Sequence, residues 1–251
     1  MKKYLDRYIS ILVYQLVKTI SHHGSNHPKI NFSANKLMAI SNNISNGFGP
    51  QLLRSQVYEY LRNELKAENL KPGMFVSMNQ IMRTMEISRT PLRDALLQLQ
   101  NEGFVTFLPQ RGIRINELSQ QDIEDLYEML GALDSRALLS VCSRMGPAET
   151  GKMKKLNDEM RANLSGSNFS RYWDLNTGFH NVYLSLSSNI PILRQINIIR
   201  QRLFEFGKKD WSRKMREMNY SEHLKMIDLI EKGEAVAAAN FMRDVHCVIN
   251  Y

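Results

Sequence analysis

The chain has 251 residues, 43% of them hydrophobic and 23% charged, with a net charge of +8 at neutral pH. That length holds two modest domains or one large one, and the composition is that of an ordinary globular protein. No apolar run is long enough to span a bilayer. Two cysteines, Cys142 and Cys247, are too few for a disulfide scaffold or a thiolate metal site, and both read as buried thiols in a reducing cytosol.

The basicity is concentrated at the front. Residues 1–50 carry a net +5, residues 51–118 +2 and residues 119–251 +1, so bulk charge is weak evidence for a nucleic-acid partner. The opening MKKYLDRYISILVYQLVKTI has a basic start and an apolar stretch. Asp6, Arg7 and Gln15 interrupt that stretch and no small-residue cleavage site follows, which argues against a signal peptide. Residues 4–20 can form an amphipathic helix without an evident partner, and 24–50, rich in Ser, Asn and Gly, read as a linker or poorly ordered tail. The whole of 1–50 has a second reading, as an extension from a misplaced start codon.

From Gln51 the texture changes. Val57, Leu61 and Leu65 recur every four residues, which predicts a helix over 52–68 with one buried face, broken by Lys71-Pro72-Gly73. Ser77 is placed to cap a second helix, 78–85, and Ser88 a third that runs through Arg89, Thr90 and Pro91 to Asn101. Pro91 fits a first turn because that turn has no use for its missing N–H. Leu92, Leu96 and Leu99 form the core stripe of this third helix. Beyond Gly103, the alternating segments 104–107 and 112–116 flank Leu108-Pro109-Gln110-Arg111 and predict a β-hairpin. Three short helices followed by such a hairpin are the layout of a winged helix-turn-helix, here 51–118.

After Ser119 no strand pattern returns. Helical periodicity runs through about 119–145, 147–163, 169–187, 191–207, 212–232 and 234–250. The predicted fold is therefore mainly α: a winged helix-turn-helix with a hairpin wing, then an all-helical antiparallel bundle over 119–251.

Arg89 and Arg93 lie four apart, hence on one helix face, within the first two turns of the third helix. A recognition helix enters the major groove with that end toward the base edges, and arginine fits guanine O6 and N7 together. Thr90 adds a contact to phosphate or a thymine methyl, and Arg111 beside Gly112 at the hairpin tip reaches an adjacent groove or the backbone. Taken singly, each arginine is as well explained as a solvated surface charge. The continuous string KPGMFVSMNQIMRTMEISRTPLRDALLQLQNEGFVTFLPQRGIRI, with SRTPLRDAL, EGF and PQRG in order, resembles the DNA-binding domain of the GntR family. The resemblance implies a dimer on an operator in double-stranded DNA, a short inverted repeat, with repression the commoner mode. Met78, Met82 and Glu86 stand where the family commonly has Glu, Ala and Gly; at Glu86 the change predicts local backbone strain.

Six histidines fall in two groups. His22, His23 and His27 lie in the front tail and carry no expectation of a site. His180, His223 and His246 lie in the helical region. If Gly233 turns a helix hairpin, His223 and His246 stand about 15 and about 20 Å from the turn at about 1.5 Å per residue, at similar heights on neighbouring helices. With Asn176 one turn before His180, three imidazoles and an oxygen donor can form a divalent-metal site. The segments NTGFHNVYLSLSSN, SEHLKMIDLIEKGE and FMRDVH resemble the metal-bearing segments of the FadR-type C-terminal domain, the sensor of one GntR subfamily. That resemblance implies zinc or nickel holding a small organic acid.

Two positions depart from the subfamily. Asn176 replaces its usual aspartate, and Asp174, six residues from His180, points elsewhere on the helix. Leu130 replaces an arginine that meets the effector's carboxylate. Trp173 and Tyr183, near the His180 face, are candidate pocket residues, with simple core packing as the alternative. The expected protein is a cytoplasmic, homodimeric, metal-assisted DNA-binding regulator without a membrane segment. The alternatives are a metal-dependent hydrolase, for which no HExxH-like general base is present, and a DNA-binding protein whose bundle only dimerises.

Overall fold

The computed structural model describes residues 50–108, 111–164, 169–207 and 212–248. The predicted helix 4–20, most of the linker 24–50, the tail histidines and wing residues 109 and 110 lie outside them. Helix α1 (Pro50–Lys66) buries Val57, Leu61 and Leu65, the stripe expected from the sequence. Helices α2 (Met78–Met85) and α3 (Arg89–Asn101) follow. Ser77 and Ser88 occupy the N-cap positions with extended backbone, but neither side chain makes a capping hydrogen bond. Burial of Ile81, Met85, Leu92, Ala95, Leu96 and Leu99 holds these two helices instead. Glu86 ends α2 at φ 54°, ψ 39°, the left-handed conformation in which a Cβ is crowded.

The wing is a three-stranded antiparallel sheet in the order β1-β3-β2, formed by β1 (Phe75–Val76), β2 (Val105–Leu108) and β3 (Gly112–Ile115). Val105 faces Ile115 and Phe107 faces Ile113, so the buried apolar residues share the inner side while Thr106 and Arg114 share the outer one. β1 was not expected, since two residues cannot display an alternation. Gly112 adopts φ 104°, and a side chain there would run into the Val76 carbonyl of β1, so this position requires glycine for the fold.

The bundle comprises α4 (Gln120–Val141), α5 (Pro147–Ala162), α6 (Phe169–Leu184), α7 (Ile190–Phe206), α8 (Arg213–Glu231) and α9 (Ala235–Phe241). α4 starts on a capping box in which Ser119 and Asp122 satisfy each other's backbone N–H groups. α4 packs on α7 and α9, and α5 packs on α6 and α8. The last predicted helix is shorter than expected. After Phe241 it widens into a π-helical turn, Met242–His246, closed by a hydrogen bond from the Cys247 N–H to the Met242 carbonyl. No helix among the described residues is long and apolar enough to cross a membrane.

Winged helix and bundle are fastened together. The Arg62 guanidinium, buried on α1, donates to Glu205 at 2.6 Å and to Gln201 at 2.7 Å, both on α7, and lies 3.8 Å above the Phe104 ring. Phe104 in turn packs against Phe206 with ring centroids 5.7 Å apart.

Candidate functional site

Arg89, Thr90 and Arg93 are all exposed at the N-terminal end of α3, and Arg111 is exposed beside the wing turn. Pro91 and Leu92, between the arginines, are buried, which turns Arg89 and Arg93 to one open face. The residues that the sequence predicts for base and phosphate contact are thus all exposed on the winged helix. Gly112 is half-buried and its evident work is conformational, in the wing turn.

In the bundle, α6, α8 and the π-turn bring His180, His223 and His246 together, with one ligating atom from each within 4.8 Å of the others. The imidazole centroids are 4.9 to 5.3 Å apart. Gly233, at φ 74°, makes the turn that sets His223 and His246 at one level. Phe179 stacks flat on His223 at 3.7 Å and fixes its plane.

Hydrogen bonds set the tautomers. His223 Nδ1 lies 3.0 Å from Asn157 Oδ1, an acceptor, while Asn157 Nδ2 donates to the Tyr220 carbonyl. His246 Nδ1 lies 2.9 Å from the Glu222 carboxylate. His180 Nδ1 lies 2.9 Å from the Tyr183 hydroxyl, whose own proton goes to Asp134. Each Nδ1 therefore carries the ring proton and each Nε2 keeps its lone pair. Burial, followed by the Arg200 charge and the neighbouring imidazoles, holds His180 well below the usual histidine range; burial, then His246 and Arg200, does the same for His223. Both rings are neutral, as a metal ligand must be.

The residues present fit a cation. His180 Nε2 and His246 Nε2 stand 3.2 Å apart, and in the tautomers set by the Nδ1 partners both present lone pairs. Two nitrogens on a tetrahedral zinc with bonds of about 2.0–2.1 Å stand about 3.3 Å apart. His223 Nε2 is buried without a hydrogen-bond partner, and so is Asn176 Oδ1. Unmet buried polar atoms cost free energy unless something supplies a partner. A divalent ion would satisfy all of these at once.

A cavity of about 40 Å³ adjoins the cluster, lined by Asn176, His180 and His246 together with Leu130, Trp173 and Arg200, among others. Trp173, a candidate pocket residue from the sequence, is on its wall. Tyr183 is not: it is fully buried behind His180, where it orients that ring through the bond to Asp134. Asp174 is exposed, away from the cluster. Leu130 leaves the cavity without an arginine from α4, but Arg200 brings one from α7, paired with Asp134. Neither Arg200 nor Asp134 was singled out from the sequence. The signal was there: both fall on apolar stripes, Arg200 among Ile196, Ile199 and Leu203, and Asp134 among Leu130, Ala137 and Leu138. A charged residue on a buried stripe needs a partner.

A winged helix with arginines exposed at the head of its second turn-motif helix, fastened to a helical bundle with a polar cavity, defines a DNA-binding transcription regulator. Residues 53–115 match the profile "Bacterial regulatory proteins, gntR family", and residues 125–245 match the FCD domain. The chain belongs to the GntR family of bacterial regulatory proteins, with an FCD domain behind its winged helix. It is similar to the Nta operon transcriptional regulator of Aminobacter aminovorans, at 26% identity over 176 residues, covering 69% of this chain and 81% of that protein. It is also similar to the HTH-type transcriptional repressor GlaR of Escherichia coli, at 23% identity over 199 residues, covering 74% and 89% respectively. Among solved structures, E. coli McbR/YncC superposes with a TM-score of 0.62 at 15% identity, covering 77% of this chain and 93% of that one. At that identity the likeness is one of fold: mainly helical with a small antiparallel sheet. The family and these relatives are regulators rather than enzymes, which replaces the hydrolase alternative.

Proposed function

We propose that the protein is a cytoplasmic, homodimeric repressor of the FadR-type subfamily, built from a winged helix over 51–118 and a sensor over 119–251. It binds an inverted-repeat operator in double-stranded DNA through Arg89, Thr90, Arg93 and Arg111, with Gly112 shaping the wing. Its affinity for that operator is set by a small organic acid. A divalent metal, zinc or nickel, held by Asn176, His180, His223 and His246, takes part in binding the acid. The observation that carries this reading is the gathering of one ligating nitrogen from each of His180, His223 and His246 within 4.8 Å of the others, next to a cavity lined by Asn176, whose side-chain oxygen is unpartnered.

The metal supplies a Lewis-acidic positive centre for a carboxylate. Asn176 gives it a neutral oxygen where a carboxylate would bind harder, which leaves the site more positive and favours an anionic ligand. Trp173 and Leu130 shape the apolar side of the cavity, and Arg200 offers guanidinium donors. The name of the E. coli relative supports repression. Elemental analysis of purified protein tests the reading, followed by operator titrations with and without chelator on duplexes selected from a random pool. Stoichiometric metal lost in His180→Ala, His223→Ala and His246→Ala is the expected result. Protein that stays metal-free after incubation with zinc, nickel and manganese makes the three histidines structural.

A further inference from the structure

We propose that α7 is the lever that connects the cavity to the DNA-reading helix, with Arg200 its grip on the cavity and the Arg62–Glu205 pair its fastening to the winged helix. The proposal rests on the reading of the cavity as the effector site.

Successive residues of an α-helix are turned by about 100°, so neighbours in sequence look in different directions. On α7 this divides the work between two faces. Leu193, Ile196 and Arg200 face the bundle, and Arg200 reaches Asp134 on α4. Asp134 also takes the Tyr183 hydroxyl proton, and that hydroxyl receives His180 Nδ1. Arg200 is therefore three hydrogen bonds from a histidine of the cluster while also lining the cavity itself. The other face carries Arg194, Gln201 and Glu205. Gln201 and Glu205 hold Arg62 of α1, and Arg194 stands 3.6 Å from Glu102. Between them Arg202 covers Gly103 so closely that a Cβ at 103 would meet its guanidinium carbon at 2.8 Å.

The grip falls at a telling place. Glu102, Gly103 and Phe104 are the residues that immediately follow α3. Glu102 accepts from Tyr58 of α1 and Gln98 of α3, and the Phe104 N–H closes onto the Leu99 carbonyl. α7 thus holds the C-terminal end of the same helix that presents Arg89 and Arg93. Packed interiors do not absorb displacement smoothly, so a shift of α7 at Arg200 is carried to both ends of the fastening. Arg62 and Glu205 are an ion pair buried at both partners, 8% and 4% exposed in their side chains. A buried pair is a poor source of net stability but a good device for fixing one orientation. A ligand carboxylate that takes hydrogen bonds from Arg200 competes with Asp134 for the same donors and so acts on α7 directly.

Hydrogen exchange of the full-length protein, read by mass spectrometry with zinc ion as the probe, tests this. In the unaltered protein zinc should slow exchange over 176–184 and 242–248, at the cluster. It should also change exchange over 58–66 and 99–107 by about fivefold or more, the lower end of ordinary allosteric coupling. In R62M/E205L, which keeps the contact buried but removes its charges, the first effect should persist and the second should vanish. Zinc protection at the cluster with no change at 58–66 or 99–107 in the unaltered protein overturns the lever and leaves the metal site standing. If zinc protects neither region, the metal reading fails, and the lever is decided without metal. Asp134→Asn and the milder Arg200→Lys loosen the cavity end of α7, and each should raise exchange over 58–66 and 99–107 about fivefold. Unchanged exchange there in folded Arg200→Lys protein overturns the lever.

Discussion

Glu222 is half-buried, and its carboxylate accepts from His246 Nδ1 at 2.9 Å. That bond fixes the tautomer in which Nε2 faces the cluster and makes the ring a stronger donor to a cation. Glu222→Gln retains an oxygen acceptor and the shape of the side chain but removes the charge. Loss of such an outer partner costs about 10–100-fold in metal affinity, or about 1.4–2.7 kcal/mol. A metal held by this cluster would bind the folded protein preferentially, so a weaker dissociation constant lowers its stabilisation by the same amount at a fixed, saturating metal concentration. For a protein of this size, at about 2–4 °C per kcal/mol, the zinc-induced rise in Tm should shrink by about 3–11 °C. In excess chelator the two proteins should melt within about 4 °C of each other, since one partly exposed hydrogen bond contributes about 1 kcal/mol. The assay is a pair of melting curves for each protein, with zinc and with chelator. An undiminished zinc-dependent rise in Glu222→Gln refutes the assignment of His246 as a ligand oriented by Glu222.

Three further outcomes follow from other parts of the molecule. Asn176→Asp should tighten metal binding in chelator competition, because it places a charged oxygen where the unpartnered amide oxygen now lies; unchanged competition would remove Asn176 from the ligand set. Arg89→Ala and Arg93→Ala should each weaken operator binding by about 1–3 kcal/mol and relax base preference, whereas Arg111→Ala should weaken binding evenly across sequences, all read by fluorescence titration at fixed salt. Glu86→Gly should stabilise the protein modestly, by about 0.5–1 kcal/mol in urea unfolding, because it relieves a left-handed residue at φ 54° while giving back some chain entropy. A loss of stability there would mean that the Glu86 side chain makes a contact more important than its backbone.

How far the sequence discloses this molecule depends on the kind of signal each element leaves. Helices with a long buried stripe, such as α1 and α3, were legible to within two residues at each end, because burial of every third or fourth side chain is itself the cause of the helix. β1 was not, because two residues pairing with β3 leave no period to detect. The caps expected at Ser77 and Ser88 failed as hydrogen bonds for a similar reason: the positions are right, but burial between α2 and α3 suffices to hold them. At the site, helix-hairpin geometry brought His223 and His246 to one level, and spacing put Asn176 beside His180. The outer partners were out of reach. Asp134, Asn157 and Arg200 lie 49 to 66 residues from the groups they touch, on helices whose mutual rotation is a product of packing. Tyr183 was read as pocket lining because its helical position is correct for the His180 side; only the depth of the side chain distinguishes a wall from a support.

The π-turn at Met242–His246 changes what counts as a harmless change in length. Relative to a regular helix, it accommodates an additional residue in its turn. Deleting a single residue between Phe241 and His246 would let the turn relax to ordinary α geometry, with the backbone bonds still satisfied. The Cys247 N–H would still close onto the Met242 carbonyl, now across one residue fewer, so the fold would survive and the residues beyond would keep nearly their present orientation. A second deletion, with no extra residue left for the turn to give up, would swing His246 by about 100° around the axis and out of the cluster with no substitution at that position. Among sequences related to this one, the number of residues from the Gly233 turn to the final histidine is therefore as informative as the histidine itself. A protein that keeps the letter but loses the count by more than the turn absorbs would hold its helices and lose the three-histidine cluster.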